Sequence, residues 1–428
     1  MPITNVSALT IDGQLVYYRP EQVIAIGDPA RDFVDGLPGS TDPNVSTFDV
    51  PDGSNLSPRP PAYRFTGVPE PHAVVAEARS RGLRVQLNHV FFAHGCCGCD
   101  PCCGANPFDA DPFNASSFDA NPFNASPFNA SQLDRTNAEP IARSETLVAP
   151  EAAARADVTV WVLDTGIAKD GLPTPLDPLV VGGTVRGPRV DGPDDVPGGG
   201  DDWVDPVAGH GTFIAGIIER LVPGCRIDVL HTIDAEGAAE EWEVADAIEQ
   251  LVIGAQVPDL KRTILNLSFG GGLSHETWRV ADAVATAQEA GVVVVASAGN
   301  EGSCAPTYPA ALPGVTAVGA LDGDGHPAPF TNRGSWVAAS ALGVDIVSTF
   351  FDLAGQPNLQ PPFSGWAQWS GTSFAAPVVV GLIAREMANH GTAVDARDAL
   401  LSGRPEMPCL GVRVHDDPDV QSLLDLMS

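Results

Sequence analysis

An α/β architecture with a parallel sheet is predicted for residues 146–428, and three observations predict it. Apolar runs of strand length alternate there with segments of helical length and pattern. The 428 residues, 44% of them apolar, are ample for one such core plus additional segments. The composition also changes twice before residue 146, which sets the preceding regions apart.

Within the α/β part, Val158–Leu163 reads as a buried strand followed by Asp-Thr-Gly. Ile227–His231, Ile264–Ser268, Val292–Ala296 and Val315–Ala320 read as further strands. Thr212–Leu221, Trp242–Ile253, His275–Ala290 and Ser373–Met387 read as helices. Alternation of this kind places helices on both faces of a parallel sheet. In such sheets, sites gather at the carboxyl ends of strands.

Residues 1–93 mix short apolar runs with a proline-rich stretch, Pro51–Pro61. Leu15–Tyr18, Val23–Ile26 and Val85–Phe92 read as strands and Pro71–Arg81 as a short helix, which predicts a small α+β region. Residues 94–145 carry a cysteine cluster and then a period-five repeat. Phe108, Phe113, Phe118, Phe123 and Phe128 fall at one phase of it, and Leu133 closes it. Proline precedes four of those five phenylalanines, which excludes a helix and predicts an extended, disordered linker bearing aromatic beads.

The charge is strongly acidic: 54 Asp and Glu against 23 Lys and Arg, a net −31. A surface of this sign repels phosphate backbones and anionic lipid, so nucleic acid is not an expected partner. No stretch reaches the ~18 apolar residues of a membrane span. The opening MPITNVSALTIDG has neither a basic nor an apolar leader region, so a cytoplasmic location is expected. Cys96, Cys97, Cys99, Cys102 and Cys103 crowd together, whereas Cys225, Cys304 and Cys409 are scattered. That is not the spaced framework of a disulfide-stapled domain. The cluster has enough thiols to hold zinc, copper(I) or an iron–sulfur centre, but its spacing matches no common zinc pattern, and a reduced tract reads equally well.

Four residues stand in distinctive frames. A neutral serine is a poor nucleophile and needs an imidazole to take its proton and a carboxylate to orient that imidazole. The tetrahedral oxyanion needs preorganised donors. Asp164 ends the strand in VWVLDTGI. His210 stands between glycines in AGHGTFIAGII, with Thr212 placed to cap the following helix. Ser373 follows a glycine turn at a helix start in WSGTSFAAPVVVGLIA, with Pro377 expected in the first turn, where a missing N–H costs little. Asn300 follows the strand in VVVVASAGN. Taken singly, each has an ordinary structural role as a cap, a turn residue or a core histidine.

Taken together, Asp-Thr-Gly, Gly-His-Gly-Thr, Ala-Gly-Asn-Glu-Gly and Gly-Thr-Ser-Phe-Ala-Ala-Pro resemble the subtilisin-like serine peptidase (subtilase) family, in its order Asp, His, Ser. The resemblance spans about residues 155–400. It implies a subtilisin-like catalytic domain and a serine endopeptidase acting through an acyl-enzyme on protein or peptide substrates. Asp164, His210 and Ser373 would form the triad, with Asn300 in the oxyanion hole. Ser268, Phe269 and Gly270 would line one wall of the substrate pocket and Ser297, Ala298 and Gly299 the other. Small walls suit a large apolar side chain before the scissile bond, and Glu301 near the base would admit a basic one. No cofactor is needed for the chemistry. Structural calcium is frequent in the family, and Asp191, Asp194, Asp195, Asp201, Asp202 and Asp205 form an acidic loop, though without a regular ligand pattern. Residues 1–93 have the size and position of the prodomain that many members carry, and an unrelated accessory domain is the competing reading. Cleavage near His94 or within the linker would release the enzyme. A vestigial thiol or metal scaffold and a maturation protease dedicated to one peptide are the other functional classes the sequence admits.

Overall fold

The computed structural model describes residues 6–11, 14–48, 56–93, 136–143, 157–194, 203–234, 237–254, 259–272, 278–356 and 358–414. The cysteine cluster and the phenylalanine repeat lie outside the described residues, as do His94, Asp195, Asp201 and Asp202.

The N-terminal unit opens with a hairpin of β1 (Ser7–Ile11) and β2 (Gln14–Ile26). Next come α1 (Asp28–Asp35), β3 (Asn44–Ser46), β4 (Ala62–Phe65), α2 (Pro71–Ser80) and β5 (Val85–Ala93). The strand order β5-β2-β4-β3 is antiparallel throughout, the split β-α-β arrangement. Sequence patterning divides β2 into two strands; it is one. The apparent break at Arg19–Gln22 is a bulge, where Glu21 has φ 56° and the register against β5 shifts between Tyr18 and Val23. Val23, Ala25, Phe65, Val85 and Leu87 bury one face against α1 and α2.

After the linker the chain re-enters through β6 (Glu139–Pro140), β7 (Thr159–Asp164) and β8 (Ile167–Ala168). It continues through α3 (Asp177–Val181), β9 (Val185–Arg186), β10 (Arg189–Asp191), α4 (His210–Leu221), β11 (Arg226–His231), β12 (Ala238–Glu240) and α5 (Glu241–Ile253). β13 (Thr263–Leu267), β14 (Phe269–Gly270), α6 (Trp278–Glu289), β15 (Val293–Ser297), β16 (Thr316–Leu321) and β17 (Ala339–Leu342) follow. β18 (Ile346–Asp352), β19 (Ser364–Trp369), α7 (Thr372–Glu386), α8 (Ala393–Leu401), β20 (Glu406–Met407) and β21 (Gly411–Arg413) complete it. Residues 139–140, inside the expected linker, pair with β19.

The main sheet runs β20-β21-β17-β16-β15-β13-β7-β11-β9, parallel except at β20. Period-two alternation splits each central strand between two cores. Val160 and Val162 of β7 face α4 and α7, while Trp161 and Leu163 face α5 and α6. The chain starts in mid-sheet at β7, builds outward to β11, then returns to β13 and builds the other way. This reversal makes the carboxyl ends of β7 and β13 the topological switch point, where such sheets hold their sites.

One buried acid in α4 carries a pH signature. Burial pushes Glu219 up to about 7, against the pull of the Gly224 N–H, which donates to it at 3.3 and 3.4 Å. An acid whose folded-state value is raised costs stability as pH rises. Between about pH 4 and 7 the unfolded chain loses this proton first, so stability falls across that window, by at most about 3 kcal/mol. Glu219→Gln should therefore shrink the difference in melting temperature between pH 5 and pH 8, with the gain at pH 8. An unchanged difference would contradict the assignment.

Candidate active site

The four residues come from three elements and the loop after β15. Asp164 is the last residue of β7, and His210 is the first of α4. Gly209 delivers the histidine: its φ of 80° is left-handed, and a Cβ there would stand 2.3 Å from the Phe350 ring. Asp164 Oδ1 and Oδ2 lie 2.8 and 2.9 Å from His210 Nδ1. Both side chains are fully buried. With Nδ1 facing a carboxylate, the ring's second nitrogen is the one left for chemistry. His210 Nε2 is buried without a hydrogen-bond partner. Trp369, 5.6 Å away edge-on, and Phe374, 5.3 Å away, pack against the ring.

Two residues hold this pair in place that sequence reading did not find. The Thr165 N–H donates to Asp164 Oδ1 at 2.8 Å, and Thr165 Oγ1 accepts from the Gly211 N–H at 3.0 Å. The Thr165 hydroxyl in turn donates to Asp191 Oδ2 at 2.7 Å, and Asp191 also accepts from the Gly209 N–H. The Asp164 and His210 backbones are thus cross-linked through Thr165 and Asp191. Asp191 belongs to the acidic loop considered for calcium, but it is buried and engaged in these bonds. Among the described residues no group of three or more His, Cys, Asp or Glu is arranged to hold a metal. Thr212 was expected to cap α4. The helix starts two residues earlier, and the Thr212 hydroxyl instead accepts from the Ala168 N–H at 3.0 Å, tying α4 to β8.

Ser373 is the second residue of α7. Its hydroxyl donates to the Ser268 carbonyl at 3.0 Å, and the Ser268 hydroxyl donates to the Ser373 carbonyl at 2.9 Å. The second bond explains Pro377. That residue sits not in the first turn but inside the helix, four residues beyond Ser373, and has no N–H for the Ser373 carbonyl. Ser268, itself held by Asn266 at 2.9 Å, supplies the missing donor. Asn300 lies opposite. Its Oδ1 accepts from both the N–H and the hydroxyl of Thr372, each at 2.9 Å, so its amide nitrogen is the end turned away from Thr372.

Around these residues lies a groove edged by β12 and β14, and β5 of the N-terminal unit occupies it. β5 runs antiparallel to both, with Phe92 opposite Ala238 and Gly270, and Ala93 opposite Phe269. The Ala93 N–H donates to the Gly237 carbonyl at 3.0 Å. Of the two expected pocket walls, Phe269 and Gly270 therefore pair with chain in the groove, and Ser268 bonds Ser373. On the other wall, Ala298 and Gly299 are braced from behind. Asn332 donates to the Ala298 carbonyl at 3.0 Å, and the Gly299 N–H donates to the Thr372 hydroxyl at 3.1 Å. Ser297 is the buried end of β15. Glu301 accepts from Asn332 and is exposed.

The N-terminal unit is fastened beside the groove by charge. Glu241, at the start of α5, is fully buried and accepts from Gln86 Nε2 at 2.7 Å and the Val280 N–H at 3.1 Å, with His89 Nδ1 at 2.6 Å. Carboxylate burial on this scale is sustained by several donors and by the positive end of a helix. Arg19 and Arg64 meet Glu240, Arg64 also meets Glu243, Arg84 meets Asp282 and Arg59 meets Glu289. Cys304 is disulfide-bonded, whereas Cys409 carries a free thiol.

This fold and groove define the class. The subtilase family model matches residues 155–404, more than half of the chain, and the chain belongs to the subtilase family. It is 35% identical over 201 residues to the thermophilic serine proteinase of Bacillus sp. (strain AK1), covering 45% of each chain. It is 30% identical over 208 residues to subtilisin E of Bacillus subtilis (strain 168), covering 45% of this chain and 50% of the other. The chain spans about half the length of the curated relatives it matches. Among solved structures it is similar to the prenylagaramide maturation protease PagA, at 26% identity and a TM-score of 0.47 over 64% of this chain and 95% of that one. Among the described residues no helix is long and apolar enough to cross a membrane.

Proposed function

We propose that this protein is a serine endopeptidase whose N-terminal unit occupies its own substrate groove. Ser373 attacks the scissile carbonyl, and His210 Nε2 takes the Ser373 proton and passes it to the leaving nitrogen. Asp164 orients the ring and stabilises its charged form. The Asn300 amide and the Ser373 N–H donate to the oxyanion. The observation that carries this reading is the histidine pinned through Nδ1 to Asp164 at 2.8 and 2.9 Å while its buried Nε2 has no partner. His89 shows the same pairing against Glu241, and what sets His210 apart is its place at the switch point, its ring 5.3 Å from that of Phe374, the residue after Ser373. The Ser373 hydroxyl donates to the Ser268 carbonyl at 3.0 Å here and gives its proton to Nε2 in the reaction, as catalytic hydrogen bonds often tighten only once substrate is bound.

Extended substrate adds as a strand between β12 and β14, as β5 does. Ser268, which bonds the nucleophile, immediately precedes Phe269, the residue opposite Ala93. The first cut in the chain is accordingly proposed between His94 and Gly95. The test is incubation of the full chain, and of its Ser373→Ala variant, with an unrelated unfolded protein, read by mass spectrometry and by fluorophosphonate labelling. The expected result is a label on Ser373, hydrolysis by the wild type alone, and a new terminus at Gly95. Absence of both labelling and hydrolysis would overturn the reading.

A further inference from the structure

Strand β5 shows what the groove selects. Period-two alternation sends Phe91 and Ala93 to one face, where both are buried in the catalytic-domain core with Phe269, Ala239 and Val244. The Phe91 ring lies 6.0 Å from that of Phe269. Phe92 points the other way, edge-on to Tyr17 at 5.1 Å, and Tyr17 belongs to the N-terminal unit itself. Burial, with the Glu301 charge second, pushes Tyr17 up to about 12, so it remains a neutral neighbour. The catalytic domain thus reads a phenylalanine and, two residues on, an alanine. The intervening Phe92 packs on both units, against Tyr17 of its own and Ala238 of β12.

The repeat in the linker has the same pattern. Phe108-Asp-Ala110, Phe113-Asn-Ala115, Phe118-Asp-Ala120, Phe123-Asn-Ala125 and Phe128-Asn-Ala130 all place alanine two residues after phenylalanine. Of the chain's 17 phenylalanines, the only others that head such a triplet are Phe91, Phe213 and Phe374. The last two are buried inside helices α4 and α7, where no groove can take them as strands. The closing unit, Leu133-Asp-Arg135, lacks both residues. The proline before most repeat phenylalanines also fits. It falls at the Val90 position, opposite Glu240. Ladder bonds alternate, and Ala93 bonds to Gly237, so the Val90 position is not one that donates to β12.

We propose that the repeats are tandem substrates of this groove, a reading that rests on the peptidase assignment above. The β5 register sets the bond one residue beyond the alanine. After Asp111, Asn121 and Ser126 the next residue is proline, whose ring carbon stands where a secondary amide offers His210 an unencumbered nitrogen. These three units bind but are spared. The bonds Ser116–Ser117 and Ser131–Gln132 are cut. In each, the Ser373 oxygen bonds to the carbonyl carbon as the C–N bond breaks, and the Ser373 proton passes through His210 to the departing nitrogen. Water then hydrolyses the ester, releasing a carboxylate and restoring the serine.

The test supplies isotopically labelled full-length Ser373→Ala chain as substrate to wild-type protein. Products are read by mass spectrometry after reduction. New termini at Ser117 and Gln132 are expected, with none after Arg135. Phe113→Gly and Phe128→Gly should each slow their own cut at least about tenfold, while hydrolysis of the unrelated unfolded protein is unchanged. Pro127→Ala should open a new cut after Ser126. Intact repeats beside a hydrolysed unrelated protein would overturn the proposal, as would cuts indifferent to the phenylalanines. Failure of all hydrolysis together with failure of the fluorophosphonate label would instead overturn the peptidase reading beneath it.

Discussion

His210→Ala is expected to lower kcat on any cleavable peptide by about 10⁶-fold, the scale set by loss of a triad histidine. Binding of substrate in the groove depends on main-chain pairing with β12 and β14, so KM should move little. Asp164→Asn is the informative companion. The carboxylate accepts from Nδ1 and from the Thr165 N–H, and an asparagine keeps the shape while offering an N–H to the ring. That favours the tautomer with the proton on Nε2, the wrong one for a base, and a loss of about 10⁴-fold follows. Steady-state kinetics with a peptide spanning residues 88–98 would measure both. Equal and small losses in the two variants would mean that the pair is structural.

Asn300→Ala should cost about 10²–10³-fold in kcat with little change in KM, the signature of a donor used only in the transition state. The substitution also removes the acceptor of two Thr372 bonds, so stability will fall by a separate route. Asn300→Asp separates the two effects. It keeps an acceptor for Thr372 and replaces the donor with an acceptor that repels the oxyanion. A melting temperature near that of the wild type, with activity as low as or lower than in Asn300→Ala, is the expected result. Retained activity in Asn300→Asp would remove Asn300 from the oxyanion hole.

Both predictions concern residues that were legible before any coordinates, because each sits in a local frame. Glycines flank His210, a strand ends at Asp164, and a helix starts beside Ser373, so each residue and its backbone geometry are written within a few neighbouring positions. The same holds for the central strands and helices, whose periods of two and 3.6 recur over short windows. The edges of the fold were harder to read. β18 and β19, α1 and α8 were not anticipated, and two strands were read where a bulge at Glu21 bends a single one.

What the sequence determined by itself was the family-bearing core: the order of the parallel-sheet elements and the identity of four residues at its switch point. The tertiary structure decided how those residues are held and what occupies the groove. Asp191 supports Gly209 from 18 positions away, Ser268 makes good the amide that Pro377 lacks, and Glu241 anchors a strand more than 150 residues earlier. Each is a polar side chain bonded to groups distant in the chain, and such a bond leaves no periodicity behind. The register of β5 against Phe269 and Gly270 belongs with them. Any of several neighbouring alignments preserves the alternation of a short apolar strand, and only packing against a particular groove selects the one that buries Phe91 and Ala93 together.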